Sequence, residues 1–232
     1  MRPPAEREAS VPPVPDRAEI RDINSCCFSR SEVTSVSIIL ASQSPRRRAL
    51  LEQIGLSGFL VRPARGEERA DPGLPPDRLV ERLSAQKAAE AAAGAGPEDL
   101  IIAADTVVAA DGRVLGKPAD RQDAVRMLTL LSGRTHTVYT GVTVRRGEKI
   151  LTESEAAEVR FRPLTAAEIR AYAATDEPMD KAGAYGIQGL GALLVEEIRG
   201  DYFCVMGLPL CRLGRMLARF GMDPLTGTGR ET

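Results

Sequence analysis

Between Thr135 and Leu164 the chain reads THTVYTGVTVRRGEKILTESEAAEVRFRPL, two long strands with a turn near Gly147. Strands joined so tightly pair antiparallel, whereas a parallel neighbour needs a crossover of a dozen or more residues. The N-terminal half supplies the other kind of unit. VSIILA, from Val36, reads as a short buried strand, and a helix follows it over PRRRALLEQI. Ser44 suits its N-cap, Pro45 its first position and Gly55 its C-cap. Hairpins and strand–helix units in one chain predict an α/β or α+β fold on a mixed sheet, not an all-parallel doubly wound one.

The remaining pattern agrees. Helices are predicted from Asp77 to about Ala93 and from Asp120 to Leu131. LIIAADTVVAADGRVLG reads as a strand, a turn at Asp111-Gly112 and a second short strand. Thr165 and Glu168 have the spacing of a capping box ahead of AAEIRAYAA. LLVEEIRG and DYFCVMG read as strands and LPLCRLGRMLARF as a closing helix. LVRPARGEERADPGLPPD reads as a long polar loop, of the kind that is functional or mobile. Residues 1–34, rich in proline and charge, read as a disordered extension, 35–222 as one folded domain and 223–232 as a flexible tail.

Composition excludes several functions. Lys and Arg total 31 against 32 Asp and Glu, which argues against a general nucleic-acid binder. The four cysteines and single histidine have no zinc-ligand spacing, and they suggest a reducing cytoplasm rather than a disulfide framework. Cys204 and Cys211 read as core residues. No apolar run approaches the roughly 20 residues of a membrane span.

Several residues carry chemical interest, each beside a plainer reading. The turn after the first strand aims backbone N–H groups and a helix N-terminus at one point, where Ser42 and Ser44 add hydroxyls and Arg46 and Arg47 add charge. An oxyanion would account for cations placed against the helix dipole, and a solvated arginine run would as well. Asp105 shares a strand face with Ile101, Ala103 and Val107. A carboxylate there is costly unless it ligates a metal, accepts a proton or takes a turn hydrogen bond. Thr106 faces the other way. Lys87 lies on the apolar stripe of Val80 and Leu83, either snorkelling or reaching a phosphate. Lys117 in LGKP and the pair Glu67–Glu68 are surface groups or phosphate and divalent-cation ligands. In DKAGAYGIQG the glycines suit a backbone that approaches a ligand closely, and Gln188 can read a base edge. His136 is given no catalytic role.

Together LASQSPRRRALL, RLSAQKA, AADTVV, GKP, LSGRTHTVYTGV, DEPMDKAGAYGIQG and MGLPL resemble the Maf family of nucleoside triphosphate pyrophosphatases over about Ser37 to Phe220. The resemblance implies an elongated α/β fold shared with the inosine-triphosphate-pyrophosphatase-like group, a mixed sheet with two lobes around a central cleft, and a homodimer as the common state. It implies Asp105 as proton acceptor, and Ser42, Arg47, Lys87 and Lys117 as phosphate-site residues. Glu68 matches the loop carboxylate that would share a divalent cation (Mg²⁺ or Mn²⁺) with Asp105, and Lys181 matches the DKAGAY lysine. Arg46, Thr106 and Gln188 fall at positions that distinguish subfamilies, and their identities resemble the branch acting on dTTP and UTP rather than the branch acting on 7-methyl-GTP. Gln43 and Asp201 depart from residues common in the family. The chemistry this implies is hydrolysis of pyrimidine triphosphates to monophosphate and pyrophosphate. A nucleotide-binding regulator of septum formation and a general phosphatase are the alternatives.

Overall fold

The structure, a computed structural model, describes residues 37–64 and 73–227. The expected extension 1–34, the pair Glu67–Glu68 and the last five residues of the expected tail lie outside them. In chain order the elements are β1 (Ile38–Leu40), α1 (Pro45–Gln53), β2 (Leu60–Val61), α2 (Pro76–Ala92), β3 (Leu100–Ala110), β4 (Arg113–Leu115) and α3 (Arg121–Leu131). After them come β5 (Thr135–Arg146), β6 (Lys149–Phe161), α4 (Ala166–Ala173), three 3₁₀ turns between Glu177 and Leu193, β7 (Val195–Gly200), α5 (Tyr202–Met206) and α6 (Leu210–Ala218).

One mixed sheet joins the strands in the order β2-β1-β3-β5-β6-β7, with β4 paired to β3. Strand β1 lies parallel to β2 and β3, and the other pairs are antiparallel. The hairpin is in register from Thr135↔Arg160 to Arg146↔Lys149. Helix starts follow the sequence signals. The Ser44 side chain accepts from Arg47 N–H, the Asp120 side chain from Asp123 N–H, and Thr165 and Glu168 form the reciprocal capping box.

Two readings are corrected. DYFCVMG is the short helix α5, not a strand. Asp201 caps it by accepting from Phe203 N–H, and Gly207 ends it in the left-handed region at φ 102. A short apolar run does not by itself separate a strand from a buried helix, and the cap decided the matter. The long polar loop contains β2, whose side chains are both exposed, so no apolar periodicity marked it.

The period-2 alternation of β3 divides the core into its two sides. Ile101 and Ala103 pack with Ala88 and Ala91 of α2, and Val107 packs with Leu79, Val80 and Leu83 of the same helix. On the opposite face Leu100, Ile102 and Ala104 meet Leu50 and Leu51 of α1 and Leu213, Met216 and Leu217 of α6. Further along, Val108 joins Leu128 and Leu131 of α3 and Ile169 and Tyr172 of α4. Helix α2 reaches the sheet because Gly141, the register partner of Asp105, has no side chain. A Cβ at Gly141 would fall 2.7 Å from the Glu81 nitrogen and closer still to the Val80 carbonyl.

The site follows from a gap in the ladder. Strand β1 pairs with β3 only as far as Ile102, where Ala41 N–H donates to Ile102 O at 2.8 Å. Strand β4 takes up the same edge of β3 at Val108. Between them residues 103–107 have β5 on one side and, among the described residues, no strand on the other.

Candidate active site

A cavity of about 1250 Å³ opens at that gap. Asp105 and Thr106 of β3, the Ser42–Arg47 turn, Lys87 of α2, Gly116 and Lys117 after β4, Asp180 and Lys181, and Gly207 all line it. Five of the residues singled out from the sequence for phosphate or proton chemistry, Ser42, Arg47, Lys87, Asp105 and Lys117, thus meet in one space, with Arg46, Thr106 and Lys181 beside them. Gln188 does not line it: the side chain is exposed at the start of a 3₁₀ turn. Glu68 lies outside the described residues.

Because successive side chains of β3 point to opposite faces, Asp105 turns toward α2 and Thr106 toward α1 and α5. Asp105 is buried, 6 % exposed, and forms an ion pair with Lys87 Nζ. Lys87 therefore does not snorkel to water; its side chain is only 16 % exposed. Removing two charges from water is expensive, and the close pair is what makes each tolerable there.

On the other face hydrogen bonds to described residues hold Arg47. Its Nε donates to Gly207 O at 2.7 Å, Nη1 to Ser42 Oγ at 3.2 Å and Nη2 to Thr106 Oγ1 at 3.1 Å. These bonds fix the plane of the guanidinium and place its charge at the C-terminal end of α5, where a cation is favoured. The Arg48 side chain is exposed and outside the cavity, so three adjacent arginines have three different surroundings.

Lys181 donates to Glu177 O at 2.6 Å and to Asp180 Oδ1 at 2.5 Å. Burial works to raise the Asp180 carboxyl, but the Lys181 hydrogen bond and charge, with Arg46 beyond, hold it below the usual range. Lys117 and Arg113 line the cavity, and their side chains make no hydrogen bond or ion pair among the described residues. Arg113, beside the Asp111-Gly112 turn, was not singled out from sequence, because an arginine next to a turn reads as solvated surface.

The glycines of DKAGAYGIQG also make room within the protein itself. A Cβ on Gly186 would lie 2.7 Å from Lys181 Cε, and one on Gly189 would lie 2.6 Å from Glu177 Oε2. At these two positions the backbone closes on the protein's own side chains. Glu177 is the hub: it accepts from Tyr172 OH at 2.9 Å, Leu190 N–H at 3.0 Å and Gly191 N–H at 3.0 Å. Burial works to raise its carboxyl, and those bonds with the charge of Lys181 hold it low. Nothing in the sequence separated Glu177 from an ordinary surface acid.

His136 is structural, as expected. Nε2 meets Tyr185 OH at 2.8 Å, and both rings pack edge-on to Phe161. Burial pushes the imidazole down to about 4. Cys204 is buried, but Cys211 is exposed, which corrects its reading as a core residue.

Mg²⁺ keeps several waters and is held by one or two carboxylates together with substrate phosphates. Buried Asp105, facing a cavity rich in cations, fits an ion that arrives with a polyphosphate. No cluster of three potential protein ligands exists among the described residues, so they form no closed metal cage.

The family model described as Maf-like protein matches residues 37–220. The chain is similar to the dTTP/UTP pyrophosphatase of Moorella thermoacetica, 54% identical over 189 residues, covering 80% of this chain and 96% of the relative. It is also similar to the proteins of that name from Symbiobacterium thermophilum and Bacillus pumilus. The first is 50% identical, covering 82% of this chain and 97% of the relative; the second is 48% identical, covering 81% and 98%. Among solved structures, a HAM1 protein from Coxiella burnetii superposes with a TM-score of 0.48 at 17% identity, over 79% of this chain and 99% of that one.

Proposed function

The chain belongs to the Maf-like family, and from that premise we propose that it hydrolyses dTTP and UTP to the nucleoside monophosphate and pyrophosphate, a house-cleaning reaction on nucleotide pools. The observation that carries the reading is the buried Asp105–Lys87 pair on a cavity wall whose opposite face presents the restrained Arg47. Neutral substrates have no use for so many cations, whereas a triphosphate does.

In this mechanism water attacks the α-phosphorus in line. Its proton passes to an Asp105 carboxylate oxygen, the α–β bridging bond breaks, and pyrophosphate leaves. Lys87 aims Asp105 through their ion pair. Arg47 and Lys117 take up charge as it builds on the leaving group. Ser42 and Lys181 complete the phosphate side, and Arg46, Thr106 and Gln188 govern the choice of base. Asp105, with Glu68, would hold a divalent cation (Mg²⁺ or Mn²⁺), which when bound neutralises triphosphate oxygens. A homodimer in the cytoplasm that binds neither nucleic acid nor membrane belongs to the same proposal. The near balance of 31 basic and 32 acidic residues supports the lack of nucleic-acid binding, and no described helix is long and apolar enough to cross a membrane.

A nucleotide panel assayed for pyrophosphate and orthophosphate separately tests the proposal. Pyrophosphate release from dTTP and UTP, with turnover lowered about 10²-fold or more in Asp105→Asn, is expected. Orthophosphate as first product, binding without turnover, or an unimpaired Asp105→Asn would overturn it.

A further inference from the structure

Thr140 lies in the middle of β5, fully buried, directly across from Thr106. Its Oγ1 is 2.8 Å from Cys204 O, and a carbonyl can only accept, so the Thr140 hydroxyl donates there. A hydroxyl has one proton. At the 2.9 Å contact between the two threonine oxygens, Thr140 therefore accepts and Thr106 donates. With its own proton committed, Thr106 Oγ1 presents a lone pair to Arg47 Nη2 at 3.1 Å. The direction of every bond in the chain Arg47→Thr106→Thr140→Cys204 O follows from its last acceptor.

The chain closes on itself. Cys204 O also accepts from Gly207 N–H at 3.0 Å, and Gly207 O accepts Arg47 Nε at 2.7 Å. Gly207, at a left-handed φ of 102, keeps that approach open by lacking a side chain, since a Cβ there would stand 3.2 Å from Thr106 Oγ1 and 3.6 Å from Arg47 Nε. Arg47 is thus gripped directly by one carbonyl at the end of α5 and, through two threonines, by another.

From this geometry we propose that Thr140 is a positioning residue for Arg47, acting through Thr106, and that Thr106 serves the site by orienting this arginine. The inference rests on the reading of Arg47 as the polyphosphate clamp. It also accounts for a polar side chain with no exposure, which from sequence is one more β-former in a strand.

The test is a double-mutant cycle with Thr106→Val, Thr140→Val and the pair, with Thr140→Ser as the conservative rescue. Two readouts are taken: KM and kcat on dTTP, and affinity for inorganic triphosphate by calorimetry, which does not depend on turnover. Thr140→Val should weaken triphosphate binding and raise KM by about tenfold, the loss of one charge-assisted hydrogen bond's alignment. Thr140→Ser should match the wild type, and Thr140→Val should change little further in the Thr106→Val background. Independent, multiplicative losses overturn the proposal, as does a Ser variant as damaged as the Val variant, or a Val variant with unchanged affinity. If Thr140→Val does not fold, the contrast of Thr106→Val with Thr106→Ser decides, because the relay requires a hydroxyl at 106 and equal affinities would refute it. A wild type that binds triphosphate without hydrolysing dTTP refutes the proposed reaction and leaves the cycle readable by calorimetry. A wild type that does not bind triphosphate refutes the clamp and the relay with it.

Discussion

Gly141→Ala puts a methyl group where α2 presses its backbone onto β5. The new Cβ would lie 2.7 Å from Glu81 N, with the Val80 carbonyl nearer. Carbon tolerates such atoms at little under about 3.2 Å, so the helix must retreat by roughly half an ångström or more. Neither side can yield by turning a rotamer, because both contacts are backbone. Overpacking of this kind costs about 1–3 kcal/mol, and in a domain of this size each kcal/mol lowers Tm by about 2–4 °C. The functional effect is separate. Helix α2 carries Lys87, and Gly141 is the register partner of Asp105, so the retreat falls across that ion pair. A displacement approaching 1 Å can lower turnover by about 10²-fold, and half of that should lower kcat by roughly tenfold. The chain has no tryptophan, so melting is followed by far-ultraviolet circular dichroism, with kcat measured well below Tm. Gly214→Ala in α6 is the control. Its Cβ would meet nothing within 4 Å, and helix propensity predicts a gain of about 0.5–1 kcal/mol. If Gly141→Ala melts with the wild type and turns over normally, the argument that this glycine seats α2 and aligns Lys87 is wrong.

Two further outcomes are expected. Arg48→Ala should leave activity nearly unchanged, whereas Arg47→Ala should raise KM and lower kcat, because only Arg47 is held in the cavity; equal losses would return the three arginines to a diffuse charge patch. The buried, neutral His136 makes stability depend on pH. Its folded value near 4 lies below the ordinary 6.5, so as pH falls through 6.5 the unfolded chain gains a proton that the folded chain refuses. Stability should fall by about 1.4 kcal/mol per pH unit below 6.5, a decline that ends once pH passes below about 4. The carboxyls held low, Glu168, Glu177 and Glu197 among them, start to contribute about one unit above their ordinary 4.5, so the window from 6.5 to about 5.5 isolates the single histidine. Urea unfolding of wild type and His136→Phe across that window measures it, and an equal slope in both would remove His136 as the cause.

How much could be read in advance depended on how local each signal was. Helix caps at Ser44, Asp120 and Thr165 are satisfied by backbone N–H groups three residues away, so type and spacing sufficed. The alternation of β3 was legible for the same reason, and it correctly put Asp105 and Thr106 on opposite faces. The short helix α5 was misread because its length left periodicity ambiguous, and β2 was missed because its exposed residues carry no pattern. The cationic inventory of the cavity was legible, apart from Arg113, from the residues themselves and, for Lys181, from the family resemblance.

Sequence alone determined the mixed sheet, the polarity of β3 and the residue types that meet at its open edge. The first two follow from backbone periodicity and turn chemistry, and the third from the residues singled out along the chain together with the family motifs they match. Only the tertiary structure decided which cations are restrained and by what. Lys87 is 18 residues from Asp105, Arg47 is 160 from Gly207, and Thr140 is 64 from Cys204. Partners that distant meet through sheet order and through the close seating of α2 at Gly141, and no local pattern encodes either. The same holds for the glycines around Gln188: their small size was evident, but only packing revealed that they make room for Lys181 and Glu177.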